Sequence, residues 1–346
     1  MKKFKHAAIV GKFLPPTRGH TRMIAFAREL CEHVTVIVDN VFWQDVDAAT
    51  RAEWIRHDFG DPSDVTVVSL PYPMPQEPGD HPDFWPIWRR TMLDGAEGAD
   101  VLIASETYGI RLAAEMGVIF MPYDIGRESG PISATLVRER PWPLWHEIIA
   151  PARSHYLKRI ALEGPESTGK TTIAKAMAHD FDFAYSPEWA KGYIEHAACG
   201  RSFQESDLTV IARAQLASET VLEPGASRAI VYDSTILTTI AWGHFLYGRS
   251  DPEIDTLLYE QEKSFGQRRQ RIFLKPDVPF HPAPHRNVAP DGAAQEQRDR
   301  FLSILIRQAD RRGLEYELVG GSWGEREAAV HMAIAKLRAP AMAQKA

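Results

Sequence analysis

The chain has 346 residues, of which 44% are hydrophobic and 25% are charged. These proportions are ordinary for folded globular proteins, so they exclude a disordered, collagen-like or coiled-coil chain, and the length predicts two domains. The formal net charge at pH 7 is −6, and the whole acidic excess lies in residues 1–150. No nucleic-acid partner is therefore expected, and small molecules are the expected ligands.

The chain contains only two cysteines, Cys31 and Cys199, one in each half. This number excludes a disulfide framework and a CxxC zinc site, and it is typical of proteins in a reducing compartment. The apolar stretch at residues 7–10 is too short for a signal peptide, and no stretch approaches the roughly 18 apolar residues that a membrane span needs. We therefore expect a cytoplasmic protein with no membrane partner, and the sequence leaves open whether it forms a homo-oligomer.

The first half begins with a strand, a loop, a helix and a second strand. Apolar residues 6–10 and 34–38 predict two buried strands, and residues 19–30 predict the helix between them. Helical stretches separate three further predicted strands, at residues 65–70, 101–104 and 118–121. Strands that alternate with helices are typical of an α/β fold with a parallel, doubly wound sheet.

The loop at residues 11–20 joins the first strand to the first helix. It is therefore expected at the carboxyl edge of the sheet, where open α/β sheets bind their ligands. Gly11 allows a ligand to approach the backbone, Gly19 opens a helix whose N-terminal amides attract anions, and His20 adds a side-chain donor. The predicted phosphate-binding residues of this loop are Gly11, Lys12, Phe13, Thr17, Gly19 and His20.

Two short motifs in this half resemble those of the nucleotidyltransferase superfamily. Residues 17–20 read TRGH, which resembles the (H/T)xGH signature, and residues 132–138 read ISATLVR, which resembles the distal ISxTxxR signature. The resemblance implies that Ser133, Thr135 and Arg138 hold the phosphates of ATP at a helix N-terminus. It also implies that His20 contacts the α-phosphate while negative charge develops there, which is electrostatic stabilisation.

The distal motif taken alone also fits a structural role. Ser133 would then only cap a helix, and Arg138 would be a solvated helix residue. Because the two motifs stand at the start and the end of one predicted domain, ATP binding is the preferred hypothesis.

Two tryptophans, Trp85 and Trp88, lie close together in an aromatic and acidic segment at residues 80–90. Their flat faces suit a cationic ring, although helix residues packed on the sheet fit the spacing equally well. The segment resembles the GWxxW segment of bifunctional nicotinamide-nucleotide adenylyltransferases, with Phe84 in place of the glycine. This resemblance implies that Trp85 or Trp88 contacts nicotinamide.

A second set of motifs follows a proline-rich stretch at residues 141–153, where we expect the domain boundary. Residues 164–172 read GPESTGKTT, a complete GxxxxGK[ST] P-loop between a predicted strand at 159–163 and a helix. Lys170 is expected to reach the β- and γ-phosphates of ATP, and the Thr171 hydroxyl to bind Mg²⁺. The predicted ATP-binding residues are Gly164, Glu166, Ser167, Thr168, Gly169, Lys170, Thr171 and Thr172.

Two carboxylates indicate a kinase. Asp233 ends an apolar strand at residues 229–233, which is the Walker B arrangement, and it is predicted to bind Mg²⁺. Glu188 follows a second predicted strand at residues 181–185, where small-molecule P-loop kinases often place an acceptor-binding or base carboxylate, although a surface role competes. The predicted catalytic residues of the whole chain are His20, Lys170, Asp233 and Glu188.

A kinase also needs to exclude water from the γ-phosphate, usually with a mobile basic lid. Residues 275–292 are proline-rich and lead into a predicted helix that carries Arg298. Arg298 is therefore the lid candidate, and a plain surface position is the alternative.

The order of these motifs resembles the NadR-type bifunctional nicotinamide-nucleotide adenylyltransferase and ribosylnicotinamide kinase, over residues 6–335. The resemblance implies a Rossmann-like nucleotidyltransferase domain at residues 1–152 and a P-loop kinase domain at residues 153–346. It implies that the second domain phosphorylates nicotinamide riboside to nicotinamide mononucleotide (NMN), and that the first adenylylates NMN to NAD with release of pyrophosphate. ATP is the expected co-substrate and Mg²⁺ the expected cofactor of both reactions.

Two alternatives stay open. The same chemistry would also suit another phosphorylated alcohol in the first domain and another nucleoside in the second. A nucleotide-sensing regulator would bind the same ligands without turnover.

Overall fold

The structure is a computed structural model, and it describes residues 4–41, 46–126, 128, 132–197, 202–265, 269–280 and 293–338. The chain divides into two compact units, with the division between Ser154 and His155. Each unit is built on a five-stranded sheet in which all paired strands are parallel. The predicted α/β class with two parallel sheets is therefore confirmed.

The first unit has the strand order β3-β2-β1-β4-β5. Its elements are β1 (Phe4–Gly11), α1 (Arg18–Leu30), β2 (Cys31–Val38), α2 (Ala48–Phe59), β3 (Val65–Ser69), α3 (Phe84–Gly95), β4 (Val101–Ala104), α4 (Tyr108–Met116), β5 (Ile119–Pro122) and α5 (Ala134–Glu139). A further helix, α6 (Ala150–Tyr156), spans the division between the units. Since the chain order reverses between β1 and β4, the loops after these two strands frame a crevice at the carboxyl edge.

Both faces of the first sheet are covered, which explains why its strands are continuous apolar runs. Ala7 and Ile9 point into a core that contains residues of α1 and α2. Ala8 and Val10 alternate with them and point into a second core that contains residues of α3 and α4. The sheet is thereby fixed from both sides, and the loops at its carboxyl edge start from rigid positions.

The second unit has the strand order β10-β9-β6-β8-β7. Its elements are β6 (Lys158–Glu163), α7 (Lys170–Phe181), β7 (Ala184–Ser186), α8 (Trp189–Gly192), a short π-helix (Tyr193–Ala197), α9 (Glu205–Leu222), β8 (Ala229–Asp233), α10 (Ile236–Tyr247), α11 (Pro252–Phe265), β9 (Arg269–Leu274), α12 (Ala293–Arg311), β10 (Glu317–Val319) and α13 (Trp323–Arg338). Among the described residues, no helix is both long and apolar enough to cross a membrane.

The strand predicted at residues 181–185 is wrong at its start. Helix α7 continues through Phe181, and the chain turns at Asp182, whose φ of 55° is left-handed. The strand β7 begins only at Ala184. The sequence resembles a longer strand because aromatic residues alternate at Phe181 and Phe183, whereas in the structure these two rings stack on each other across the turn, with centroids 5.4 Å apart.

A buried ion pair stabilises the second unit. Arg269 of β9 and Glu219 of α9 are both completely buried, with 2.8 Å between nitrogen and oxygen. Gln261 of α11 donates to the same carboxylate at 2.8 Å, and its own side-chain oxygen accepts from Arg269 at 3.0 Å. The pair and Gln261 therefore join two helices to the sheet through direct side-chain contacts.

Candidate functional site

A cavity of about 720 Å³ opens at the carboxyl edge of the first sheet. Its walls come from the loop after β1, the ends of β2 and β4, and the helices α3 and α5. All residues predicted for the adenylyltransferase site line it, namely Gly11, Lys12, Phe13, Thr17, Gly19, His20, Trp85, Trp88, Ser133, Thr135 and Arg138. Segments far apart in the sequence therefore meet in one place, while their individual roles stay predictions.

The orientation of His20 is set by the turn that begins α1. The backbone N–H of Thr17, the N-cap residue, donates to His20 Nδ1 at 2.9 Å. Because Nδ1 accepts, the neutral imidazole carries its hydrogen on Nε2 and presents a donor there. The ring of Phe13 packs edge-on against His20 at 4.8 Å, and a Cβ on Gly11 would lie only 3.3 Å from that phenyl ring. Gly11 thus also makes room for the side chain that supports His20.

The distal motif joins the first motif through Arg138. Ser133 caps α5 and accepts a hydrogen bond from the backbone N–H of Leu136 at 3.1 Å, as the structural alternative predicted. Arg138, however, is partly buried and is not a solvated helix residue. Its guanidinium donates to the Thr135 hydroxyl at 3.1 Å and to the backbone carbonyl of Leu14 in the first loop. The two motifs therefore form one continuous wall.

The two tryptophans lie differently. Trp88 is only 8% exposed, packs in the core beside Phe84, and donates from Nε1 to the carbonyl of Pro75 at 2.9 Å. Trp85 is less buried, and the Arg111 guanidinium lies 5.3 Å from its ring centroid. The packing interpretation thus describes Trp88 well, whereas Trp85 offers more of its ring to the cavity.

Asp39, at the end of β2, was not predicted as a site residue. It lines the cavity and is 3% exposed, and its Oδ2 accepts a hydrogen bond from Gln76 Nε2 at 2.8 Å. Burial raises the pKa of the Asp39 carboxyl to about 6, although Gln76, Lys12 and Arg51 act to lower it. Its signal in the sequence is a carboxylate directly after an apolar strand, the same pattern that identified Asp233.

A second cavity, of about 530 Å³, opens in the second unit. Nine of the predicted residues line it, namely Gly164, Glu166, Ser167, Thr168, Gly169, Lys170, Thr171, Thr172 and Glu188. Asp233 and Arg298 do not line this cavity. The structure therefore brings Glu188 to the P-loop, whereas the other two residues are not part of the cavity lining.

The P-loop is held in a shape that its glycines permit. Gly164 has a φ of 143°, and a Cβ there would lie 2.6 Å from the carbonyl oxygen of Leu274. Gly169, with a φ of 89°, lies directly under the ring of Trp323. Lys170 Nζ donates to the carbonyls of Gly164 and Pro165, both at 2.9 Å. The ammonium is thus folded over the loop that is predicted to hold the phosphates.

Two buried arginines support the P-loop from outside the motif. The Arg326 guanidinium is completely buried and donates to the carbonyl of Thr168 at 3.2 Å, as well as pairing with Asp277. Arg298 is 3% exposed and donates to the carbonyls of Ser167 at 3.4 Å and Val278 at 3.0 Å. Arg298 therefore lies against the loop backbone and not on an exposed surface, while most of the predicted lid, residues 281–292, lies outside the described residues.

The two carboxylates of the second unit have different surroundings. Asp233 is buried, its Oδ2 accepts from the Tyr185 hydroxyl at 3.3 Å, and its Oδ1 has no hydrogen-bond partner among the described residues. The pKa of Glu188 is raised to about 7, mainly by burial and also by the charges of Asp233 and Glu166, while Lys170 acts to lower it. Glu188 is therefore poised to exchange a proton near neutral pH.

The opposite wall of the second cavity is apolar. It is formed by Ile194, Phe203, Leu208, Ile211, Trp242 and Leu246. The Trp242 ring is supported by Phe301 at 4.5 Å between centroids. A wall of this kind suits the flat ring of a nucleoside, and sequence reasoning missed it because Trp242 lies in a mostly apolar helix in which nothing distinguishes it from a core residue.

Comparisons with known proteins agree with this arrangement. The model of a family described as AAA domain matches residues 159–326. The chain is 21% identical over 329 residues to the trifunctional NAD biosynthesis/regulator protein NadR of Escherichia coli (strain K12), covering 89% of this chain and 77% of that protein. The NadR of Salmonella typhimurium matches with the same identity and coverage.

Two solved structures are similar over nearly the whole chain. A crystal structure of NadR protein in complex with NR has a TM-score of 0.72 and 20% identity, covering 97% of each chain. A crystal structure of NadR protein in complex with NAD and AMP-PNP has a TM-score of 0.70 and 20% identity, covering 98% of each. The resemblance inferred from the motifs is thus confirmed, and the chain has the fold of these proteins.

Proposed function

We propose that this NadR-like chain is a bifunctional enzyme of NAD biosynthesis, which phosphorylates nicotinamide riboside to NMN and adenylylates NMN to NAD. One observation carries the proposal: each unit has its own cavity, and each cavity gathers a separate set of phosphate-binding motifs. The complexes of NadR with NR, NAD and AMP-PNP support the same choice of ligands. We assign residues 1–152 to the adenylyltransferase and residues 153–346 to the kinase.

In the kinase reaction, the oxygen of the riboside 5′-hydroxyl attacks the γ-phosphorus of ATP and ADP leaves. Glu188 accepts the hydroxyl proton, a role that its raised pKa and its place beside the P-loop support. Lys170 exchanges its bonds to the loop carbonyls for bonds to the phosphates. The apolar wall that contains Trp242 holds the nicotinamide ring.

The donor set of the second unit fits Mg²⁺. The Thr171 hydroxyl and the Asp233 carboxylate supply hard oxygen ligands, and the buried, unpartnered Oδ1 of Asp233 has an acceptor position to offer. Mg²⁺ bound there neutralises phosphate charge. The Tyr185 hydroxyl, which donates to Asp233 Oδ2, keeps the carboxylate oriented.

In the adenylyl transfer, a phosphate oxygen of NMN attacks the α-phosphorus of ATP and pyrophosphate leaves. The NMN phosphate needs no general base, so the side chains only position and stabilise charge. His20 donates from Nε2 to the α-phosphate, and Arg138 holds the distal motif against the first loop. The face of Trp85 receives the cationic nicotinamide ring.

Two single substitutions test the two-site assignment. The purified protein is incubated with ATP, Mg²⁺ and either nicotinamide riboside or NMN, and the products are separated chromatographically. Lys170→Ala is expected to abolish NMN formation and to leave NAD formation from NMN within about twofold, and His20→Ala to do the reverse. Joint loss in either variant, with both folded, contradicts the assignment, and an unsubstituted protein that forms neither product refutes the proposal.

The same assay separates the alternatives. Turnover of a different nucleoside or phosphorylated alcohol, with none of the nicotinamide compounds, would identify other acceptors. Tight binding of ATP and NAD without any turnover would identify a regulator, a role that also appears in the description of the relatives.

A further inference from the structure

Asp39 lines the first cavity together with Trp85 and Trp88. Gln76 Nε2 donates to Asp39 Oδ2 at 2.8 Å and to the carbonyl of Met74 at 2.9 Å. In the same short segment, the carbonyl of Pro75 accepts from Trp88 Nε1 at 2.9 Å. Asp39 is therefore connected to the helix that carries the candidate acceptor-binding residues through two hydrogen bonds, which the adjacent residues Pro75 and Gln76 join.

Of the two oxygens of the Asp39 carboxylate, only Oδ2 accepts a hydrogen bond within the described part of the chain. Its Oδ1 has no hydrogen-bond partner among the described residues, although the side chain is almost completely buried. The nearby Arg51 guanidinium donates to backbone carbonyls, including those of Asp39 and Lys12, and not to the carboxylate. Buried acceptors are normally satisfied, and Asp39 lines the cavity, so a donor on a bound ligand would supply the partner that the second oxygen lacks.

We infer that Asp39, oriented by Gln76, selects the acceptor of the adenylyl transfer: it accepts a hydrogen bond from a carboxamide N–H of the ligand's pyridine ring and disfavours a carboxylate at that position. The inference rests on the proposed adenylyl transfer to NMN. A carboxamide presents two N–H donors, whereas a ring carboxylate presents only acceptors and a negative charge. Two carboxylates in one enclosed cavity repel each other, and like-charge contacts of this kind exclude the wrong partner.

The test compares two acceptors that differ only in this group, NMN and nicotinic acid mononucleotide. The kcat/KM for each is measured with saturating ATP and Mg²⁺ at pH 7.5 in the unsubstituted protein, in Asp39→Asn and in Asp39→Ser. The matched control is Asp83→Asn, which removes an exposed carboxylate that does not line the cavity. Formation of NMN from nicotinamide riboside reports that each preparation is intact in its second unit, and circular dichroism reports on the whole chain.

The unsubstituted protein and the control are expected to prefer NMN. Asp39→Asn is expected to lower the ratio of the two kcat/KM values by about 10- to 100-fold, because the asparagine amide donates to a carboxylate that the aspartate repels. Asp39→Ser, which also removes the charge, should move the ratio in the same direction.

An unchanged ratio, with both kcat/KM values falling together, would overturn the inference and would assign Asp39 to positioning Lys12 or a metal ion. An unsubstituted protein that uses both acceptors equally would overturn it as well. Failure to adenylylate either acceptor would instead refute the proposed function, so the two failures are distinguishable.

Discussion

Replacing Glu188 by glutamine tests the acid–base chemistry of the second unit. With a pKa of about 7, the Glu188 carboxyl is ionised in about a tenth of the molecules at pH 6 and in about nine tenths at pH 8. A base must be ionised to accept a proton, and this pKa is that of the ligand-free protein, so kcat/KM for NMN formation is expected to rise about tenfold across this range. Glu188→Gln cannot accept the proton, and we expect kcat to fall by about 10²- to 10⁴-fold and the limb near pH 7 to disappear.

The assay measures initial rates of NMN formation over a range of ATP and nicotinamide riboside concentrations, which gives both kcat and kcat/KM, from pH 5.5 to 9 at constant ionic strength. Glu195→Gln is the matched control, since Glu195 is an exposed carboxylate in the short π-helix after α8 and does not line the cavity. NAD formation from NMN should be unchanged in both variants. A Glu188→Gln protein that keeps the limb near pH 7, or that retains more than about a tenth of kcat, would refute the assignment of Glu188 as the base.

Three further substitutions probe the packing and the first cavity. Trp85→Ala is expected to raise the KM for NMN by about tenfold with little change in kcat, because it removes a ring face that binds the ground state, and steady-state kinetics check this. Gly164→Ala should destabilise the second unit by about 1–3 kcal/mol in denaturant unfolding, since its φ of 143° and the carbonyl of Leu274 both oppose a Cβ. Glu219→Ala removes the shorter of the two ion pairs of the buried Arg269 and leaves only the contact with Glu262 at 3.3 Å, so unfolding should show a loss of about 2–4 kcal/mol, and a loss below 1 kcal/mol would contradict the buried-pair interpretation.

The sequence was sufficient for those parts of the fold that depend on local pattern. The strands β1 and β8 are unbroken apolar runs, because both faces of a parallel sheet are buried, and their predicted positions agree with the structure. The start of β7 was misplaced because Phe181 closes a helix, and only the left-handed turn at Asp182 shows where the helix ends. An apolar residue at such a junction fits either element.

The residues of the candidate sites are likewise of two kinds, those that a sequence motif predicts and those that only the fold brings to the cavity. The P-loop and the two nucleotidyltransferase motifs are each a short continuous segment of the chain, and each places several donors close together. Asp39, Gln76 and Trp242 line the cavities from other elements; no motif marks Gln76 or Trp242, and the only signal of Asp39 is its position directly after an apolar strand. Their contribution depends on which strands are neighbours in the sheet, which single-sequence patterns do not specify.

The hydrogen bonds of Arg326 mean that the conformation of the P-loop depends on a residue outside the motif. This side chain belongs to the last helix, yet it donates to the carbonyls of Thr168, Lys275 and Gly321, which follow three different strands. A lysine in its place has neither the planar fork nor the number of donors to do this. A chain truncated before α13 would keep every residue of the motif and still lose nucleotide affinity. A deletion experiment would then suggest that α13 contacts ATP directly, whereas its Arg326 holds three loops in their positions.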